Sequence, residues 1–245
     1  ETLELNDQMN RLKKPDGKIT NQKLYDILEG KSKGLIAARQ AASTDPRMFW
    51  YSNSQAMRDK YGIEVPKTYK MSDKTESIID LVEDIIQSGN KVIMFSKFVT
   101  SARLIGQDIC DKLKVPVLMY TGLENQNTRD NNVDLFRESV DNNILIGTDA
   151  MAEGLNLQIA QYVINIDQPD TNAIKEQRIG RVRRTGSQFN NVVVYDMITA
   201  NGINAKSNDE ERLDNIEKNK DLSDALISID ESQRQALINA MKGGQ

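Results

Sequence analysis

Residues 78–95 read IIDLVEDIIQSGNKVIMF, an amphipathic stretch followed by a short apolar one. Up to Ile86, isoleucine, leucine and valine recur three and four residues apart, which is the period of one helical face. Gly89, between a serine and an asparagine, is a residue that commonly ends a helix. Val92–Phe95 is a continuous apolar run, as expected for a strand buried on both faces. The stretch therefore predicts a helix, a turn and a buried strand.

The same alternation continues along the chain to residue 195. Further helices are expected over 101–113, 128–139 and 172–183, and further strands over 115–120, 143–147, 162–166 and 192–195. Short buried strands alternating with helices favour an α/β fold, a mainly parallel sheet with helices on both faces. We expect this lobe to span 73–200. It would be preceded by a helical or linker segment, 1–72, that docks on it, and followed by C-terminal brace helices, 201–245.

Composition excludes several kinds of site. The 245 residues include no histidine, so His-based metal sites and catalytic triads are excluded. A single cysteine, Cys110, rules out an internal disulfide and a four-cysteine zinc site, and its place on a predicted helix favours a small apolar core residue. No metal site is therefore expected in this chain.

Charge and hydropathy bound the partners. A net charge of −4 argues against coating nucleic acid through bulk charge, so any contact with a strand must be local. No apolar run approaches the roughly 20 residues that a membrane span needs, and the charged amino end is unlike a signal peptide. We expect a cytoplasmic protein with no membrane partner.

Residues 177–186 read QRIGRVRRTG and place four arginines within seven residues of an acidic protein. They follow the apolar stretch 162–167 closely. The guanidinium group is planar and always charged, so two arginines three apart on one helical face can close around a phosphoryl oxyanion. The pattern favours a phosphate-binding element. The alternative is a solvated helix face whose arginines pair with carboxylates such as Glu176.

The order Gln-Arg-x-Gly-Arg-x-x-Arg resembles motif VI of superfamily-two helicases and translocases. Residues 148–158 (TDAMAEGLNLQ) resemble motif V, and residues 91–98 (KVIMFSKF) resemble motif IV. Residues 120–122 (YTG) resemble the conserved block that follows motif IV in this superfamily. The sequence GLNLQ at residues 154–158 is most similar to the Swi/Snf-type branch, as is Gln177, which stands where DEAD-box proteins carry histidine. The resemblance implies the C-terminal RecA-like lobe of an ATP-dependent DNA translocase.

The resemblance also implies roles for particular residues. Arg181 and Arg184 would be arginine fingers that reach the γ-phosphate of ATP bound on another lobe. The ATP-binding candidates are Gly154, Asn156, Gln177 and Arg178, although Asn156 stands where related enzymes carry aspartate. The nucleic-acid candidates are Ser96, Thr121, Gly122 and Thr148. For this last group the alternative is ordinary turn and cap chemistry.

The sequence contains no Gly-x-x-x-x-Gly-Lys-Ser/Thr loop for a triphosphate. In the superfamily that loop belongs to the N-terminal RecA-like lobe. That lobe would be the partner of this one and would make most of the contacts to ATP and Mg²⁺. We therefore expect this chain alone to be inactive as an ATPase. Two alternatives stay open: the C-terminal lobe of an RNA helicase, and a non-catalytic module on a degenerate RecA-like scaffold that binds nucleic acid or protein.

Overall fold

The fold is described by a computed structural model, which covers residues 2–13, 19–48, 71–141, 143–152, 155–183, 187, 189–200 and 206–228. Its helices are α1 (Thr2–Arg11), α2 (Gln22–Thr44), α3 (Asp73–Gln87), α4 (Val99–Leu113), α5 (Gln126–Glu138), α6 (Asn172–Gly180) and α7 (Asn208–Ser228). Its strands are β1 (Val92–Phe95), β2 (Leu118–Tyr120), β3 (Ile144–Gly147), β4 (Tyr162–Asn165) and β5 (Val193–Asp196). A short 3₁₀ helix, Asp149–Ala152, follows β3.

The five strands form one parallel sheet in the order β2-β3-β1-β4-β5. Phe95, the last residue of β1, is aligned with Gly147 at the end of β3 and with Asn165 at the end of β4. The carboxyl ends of these strands therefore meet at one edge of the sheet. The α/β fold class predicted from the sequence is confirmed.

Helices cover both faces of the sheet. Because successive strand residues point to opposite faces, Met94 packs with α3 and α4, whereas Ile93 packs with α5. All four residues of β1 are buried, which explains why this strand is apolar at every position rather than at alternate ones.

Two element boundaries differ from the sequence prediction by three residues, and several others differ by one or two. Strand β2 begins at Leu118 rather than at residue 115, because α4 ends at Leu113 and the left-handed φ of 58° at Lys114 turns the chain before the strand starts. Helix α6 ends at Gly180 rather than at residue 183, and the chain continues in a turn in which the Arg183 N–H donates to the Ile179 carbonyl at 2.8 Å.

The prediction that Cys110 is a core residue is wrong, because its side chain is exposed. Ile105 and Ile109 lie one turn apart and face the sheet, and the next residue is rotated by about 100° from Ile109 on an α-helix. That rotation carries Cys110 to the outside, where it lines a small surface cavity with Arg103 and Gln107.

The helices outside the lobe dock on it through charged groups. Arg47, just after α2, donates to Asp45 and to Asp108 of α4 at 3.0 Å each. Lys74 of α3 lies 2.8 Å from the carboxylate of Asp209 in α7. Over the part of the chain that the structure describes, no helix is both long enough and apolar enough to cross a membrane.

Candidate functional site

The two segments that resemble motifs V and VI meet at the carboxyl edge of the sheet. The 3₁₀ helix follows β3 directly, and α6 begins a few residues after β4. Three hydrogen bonds join the segments: Gln177 Nε2 to the Ala152 carbonyl at 3.3 Å, Arg178 Nε to Asp149 Oδ1 at 2.7 Å, and the Leu157 N–H to the Arg181 carbonyl at 3.1 Å. The described parts of the two segments are therefore held together.

Arg178 is the centre of this unit and is completely buried. Besides Asp149, its guanidinium donates to Asn165 Oδ1 at 2.9 Å, and it lies 5.3 Å from the centroid of the Phe95 ring. A buried cation requires such partners because it has lost its hydration. In this conformation Arg178 is closed to a nucleotide and ties α6 to the sheet.

Asp167 lies beside Arg178 and is also completely buried. Its carboxylate accepts from Ser96 Oγ at 2.6 Å and from the Lys97 N–H at 2.9 Å. Burial raises the pKa of the Asp167 carboxyl above its usual value, although the hydrogen bond from Ser96 and the charge of Arg178 act in the opposite direction. Ser96 is thus buried and committed to Asp167 rather than open to a nucleic-acid strand.

Arg181 differs from Arg178 in having no charged partner. Its Nε is buried without a hydrogen bond, and no ion pair holds its guanidinium within the described residues. By contrast, the side chain of Arg183 is 73% exposed and lies 4.0 Å from Glu176, as expected for a solvated helix face. Arg181 is therefore a partly exposed arginine at the motif junction, with no ion pair to a described residue.

The other nucleotide-side candidates are only partly described. Arg184 and Gly154 lie outside the described residues. Asn156 is exposed, and its Oδ1 accepts from the Gln158 N–H at 3.3 Å within a local turn. Gln177 is also exposed, next to Arg178 on the outer side of α6.

The remaining nucleic-acid candidates lie at the ends of β2 and β3. Thr148 is partly exposed, and its N–H donates to the Tyr120 carbonyl at 3.2 Å. Gly122 is exposed, whereas Thr121 is buried and donates through both its N–H and its hydroxyl to Glu124. Thr148 and Gly122 are thus accessible to a ligand, and Thr121 is covered by a carboxylate.

A charged cluster beside this edge was missed by the sequence reasoning. Lys97 Nζ lies 2.7 Å from Asp170 and 3.3 Å from Gln40 of α2, and Arg212 of α7 also contacts Asp170. Burial, together with the nearby charge of Arg212, lowers the pKa of Lys97. No local spacing signals this cluster because its members come from four separate parts of the chain.

Among the described residues, no group of three or more acidic, cysteine or histidine side chains lies close enough together to hold a metal ion. The site consists instead of arginines, hydroxyls and backbone N–H groups at the ends of parallel strands. Such groups bind oxyanions.

Residues 73–186 match the family described as the helicase conserved C-terminal domain. The uncharacterized ATP-dependent helicase YqhH of Bacillus subtilis is 32% identical over 126 residues, which cover 51% of this chain and 21% of that protein. DEAD-box ATP-dependent RNA helicase 1 of Oryza sativa subsp. japonica is 31% identical over 127 residues, which cover 49% of this chain and 24% of that protein. The chain thus spans less than a quarter of the length of either relative.

Among solved structures, the SWI2/SNF2 ATPase core of Sulfolobus solfataricus in complex with double-stranded DNA has a TM-score of 0.55 and 19% identity. The similarity covers 98% of this chain and 42% of that one. At this level of identity the similarity establishes a common fold. Residues 73–186, just under half of the chain, thus match the helicase conserved C-terminal domain family, and the fold is that of the SWI2/SNF2 ATPase core of Sulfolobus solfataricus.

Proposed function

We propose that this chain is the second motor lobe of an ATP-dependent nucleic-acid translocase, and that Arg181 and Arg184 are its arginine fingers. The observation that carries the proposal is the unpartnered Nε of Arg181 where the motif V and motif VI segments meet. In open parallel sheets, ligands bind beyond the carboxyl ends of the strands. A guanidinium left without a counter-charge at that edge fits an incoming phosphate oxygen.

ATP and its Mg²⁺ would be held mainly by an N-terminal RecA-like lobe facing this edge. When the lobes close, Arg181 and Arg184 would stabilise the negative charge that develops on the transferred phosphoryl group. Gln177, Gly154 and Asn156 would lie on the nucleotide side of the cleft. The burial of Arg178 supports a positioning role for this residue, which would hold the loop of motif V against α6.

Nucleic acid would be held at the other strand ends, where Thr148 and Gly122 are accessible. Hydroxyls and backbone N–H groups of this kind contact the phosphate backbone and read no sequence. We propose duplex DNA as the substrate, because Gln177 and the sequence of residues 154–158 follow the Swi/Snf-type pattern. We also propose that the protein is cytoplasmic. The proposed cycle of closure and release would step these contacts along the backbone.

An RNA helicase lobe is the second candidate, because a DEAD-box RNA helicase is 31% identical over 127 residues. ATPase stimulation by duplex DNA and by RNA discriminates between the two, since only the true substrate should raise the rate strongly. The third candidate, a non-catalytic binding module, requires that the complete natural protein containing this chain has no Walker loop. Reading the coding sequence upstream of residue 1 tests this candidate directly, because a Walker loop there would exclude it.

The deciding experiment is Arg181→Ala in the complete natural protein. Loss of an arginine finger lowers the rate of phosphoryl transfer by about 10³ to 10⁵, or roughly 4 to 7 kcal/mol. We expect nucleic-acid-stimulated ATPase to fall by at least a thousandfold, while circular dichroism and nucleic-acid binding stay unchanged.

Arg183→Ala is the matched control, because it removes the same charge two residues away from a side chain that is 73% exposed. It should leave ATPase within about twofold of the wild type, since exposed ion pairs contribute little. Equal effects of the two substitutions would show that Arg181 is no finger. ATP hydrolysis by the present chain alone would contradict the two-lobe mechanism.

A further inference from the structure

In the turn between β2 and α5, the carboxylate of Glu124 is bound by two neighbouring donors. The Thr121 N–H and the Thr121 hydroxyl both donate to one oxygen, Oε2 of Glu124, at 2.6 Å each. Hydrogen bonds to a charged acceptor are stronger than those between neutral groups. Two donors converging on one charged oxygen form the same arrangement that would hold an oxygen of a phosphate group.

The surroundings leave room for a larger anion. Gly122 is exposed, and a Cβ built on it would meet nothing within 4 Å, so the backbone here can be approached closely. Arg129 of α5 lies over the Tyr120 ring, 5.5 Å from its centroid, and its Nε is buried without a hydrogen-bond partner. Besides Glu124 itself, the turn thus presents donors and a nearby cation.

We propose that Glu124 occupies the place of a nucleic-acid backbone phosphate and must swing away before Thr121 can bind a strand. This inference rests on the proposed function, which supplies nucleic acid as the ligand. A carboxylate and a phosphate cannot share the two donors, because both are anions that need the same hydrogen bonds. Glu124 therefore weakens binding to all strands and excludes ligands that cannot displace it, which makes it a residue that sets affinity and specificity.

The competing explanation is that Glu124 merely closes the turn, in which the Leu123 N–H also donates to Thr121 Oγ1 at 3.2 Å. The two explanations differ in what removal of the charge does to binding. A residue that only closes the turn would, on removal, leave binding unchanged or weaken it. A competing anion would, on removal, strengthen binding.

The test is Glu124→Gln in the complete natural protein, with binding to a fluorescent DNA duplex followed by anisotropy over a range of salt concentrations. The substitution keeps the size of the side chain and removes the charge that competes with phosphate. We expect affinity to rise about tenfold, the size of one hydrogen bond to a charged group. Because the removed charge repels phosphate and salt screens that repulsion, the gain in affinity should also shrink as salt is added.

Glu138→Gln is the matched control, because Glu138 is exposed at the far end of the same helix and loses the same charge. It should change affinity by less than about twofold and leave the dependence of affinity on salt unaltered, since it adds no phosphate contact. Adding Thr121→Val to Glu124→Gln should cancel the gain, because the hydroxyl that would hold the phosphate is gone. Thermal unfolding checks that each variant is folded.

Glu124→Asp covers the case in which Glu124→Gln does not fold. It keeps the net charge and shortens the reach toward Thr121, so a smaller gain in affinity is expected. Equal binding by the Glu124 and Glu138 variants would overturn the proposal and leave the motor function standing. If the wild type and all variants bind neither DNA nor RNA, both this inference and the proposed nucleic-acid contact fail.

Discussion

At the residue scale, Gly147 shows how tightly the end of β3 packs against the end of β2. A Cβ added to Gly147 would lie 2.3 Å from the carbonyl oxygen of Tyr120 and 3.2 Å from Met151 Sδ. The first of these atoms belongs to the backbone of the neighbouring strand, so it cannot rotate away as a side chain would. Glycine is needed here for space and not for an unusual φ angle.

Gly147→Ala should therefore destabilise the protein strongly. Overpacking of a well-ordered core costs typically 1–3 kcal/mol, and we expect about 3 kcal/mol here because backbone must move. Gly30→Ala is the control: Gly30 is an exposed helix residue whose added Cβ would meet nothing within 4 Å. That substitution should stabilise α2 by roughly 0.5–1 kcal/mol. Urea unfolding measures both, and a loss of stability at Gly30 as large as at Gly147 would contradict the steric explanation.

Sequence patterns identified the arginines at this scale but not their partners. A run of four arginines is visible in the sequence, whereas the difference between the buried Arg178 and the unpaired Arg181 depends on which side of α6 faces the sheet. The bond between Ser96 and Asp167 joins residues 71 positions apart. Such contacts arise from the order of the strands in the sheet, and no local sequence pattern reveals that order.

At the scale of elements, the link between α6 and the 3₁₀ helix joins the two motif segments. Arg178 supplies the charged contact in this link through Asp149, and it also bonds to Asn165 of β4. In the proposed mechanism, a change at the nucleotide would reach the loop after β3 partly through this buried side chain. The same side chain belongs to the structural core of the lobe.

Arg178→Met should cost about 3 kcal/mol of stability, the amount typical of breaking a buried ion pair by removing one partner. Methionine fills a similar volume but leaves Asn165 Oδ1 without the donor that it has now. We expect urea unfolding at lower concentration, and faster amide exchange over 149–152 and 177–181, without any nucleotide. Unchanged stability combined with a raised KM for ATP in the complete protein would instead support a nucleotide contact by Arg178.

The boundaries of elements could be predicted where apolar periodicity governs them. Strand β1 lies where the sequence places it, because a run of four apolar residues between a helix stop and a serine has few alternatives. The start of β2 was predicted three residues early because Lys114 adopts a left-handed conformation that is rare for lysine. The turn at Lys114 is seen in the structure and is not indicated by the sequence around it.

At the scale of the whole molecule, the helices outside the lobe are attached through a polar seam. Arg47 contacts Asp45 and Asp108, and the Thr199 hydroxyl donates to the Ser43 carbonyl at 2.7 Å. The side chain of Arg47 is 5% exposed, so its charge depends on these carboxylates. The sequence predicted a helical or linker segment over 1–72 that docks on the lobe, but no local pattern indicated these contacts.

Arg47→Met should release α2 from the lobe without unfolding the sheet, because it leaves Asp45 and Asp108 without their shared cation. Removing one partner from a buried pair costs about 3–5 kcal/mol, and this loss falls on the contact between α2 and α4. Amide exchange should therefore accelerate over 22–44 and stay slow over 92–95. Arg39→Met is the control, since Arg39 pairs with Glu211 at 3.1 Å with both side chains nearly half exposed, and exposed pairs contribute about 0–1 kcal/mol. If exchange rises equally in α2 and β1, the helices and the lobe unfold as one unit, and residues 1–72 are no separate docking segment.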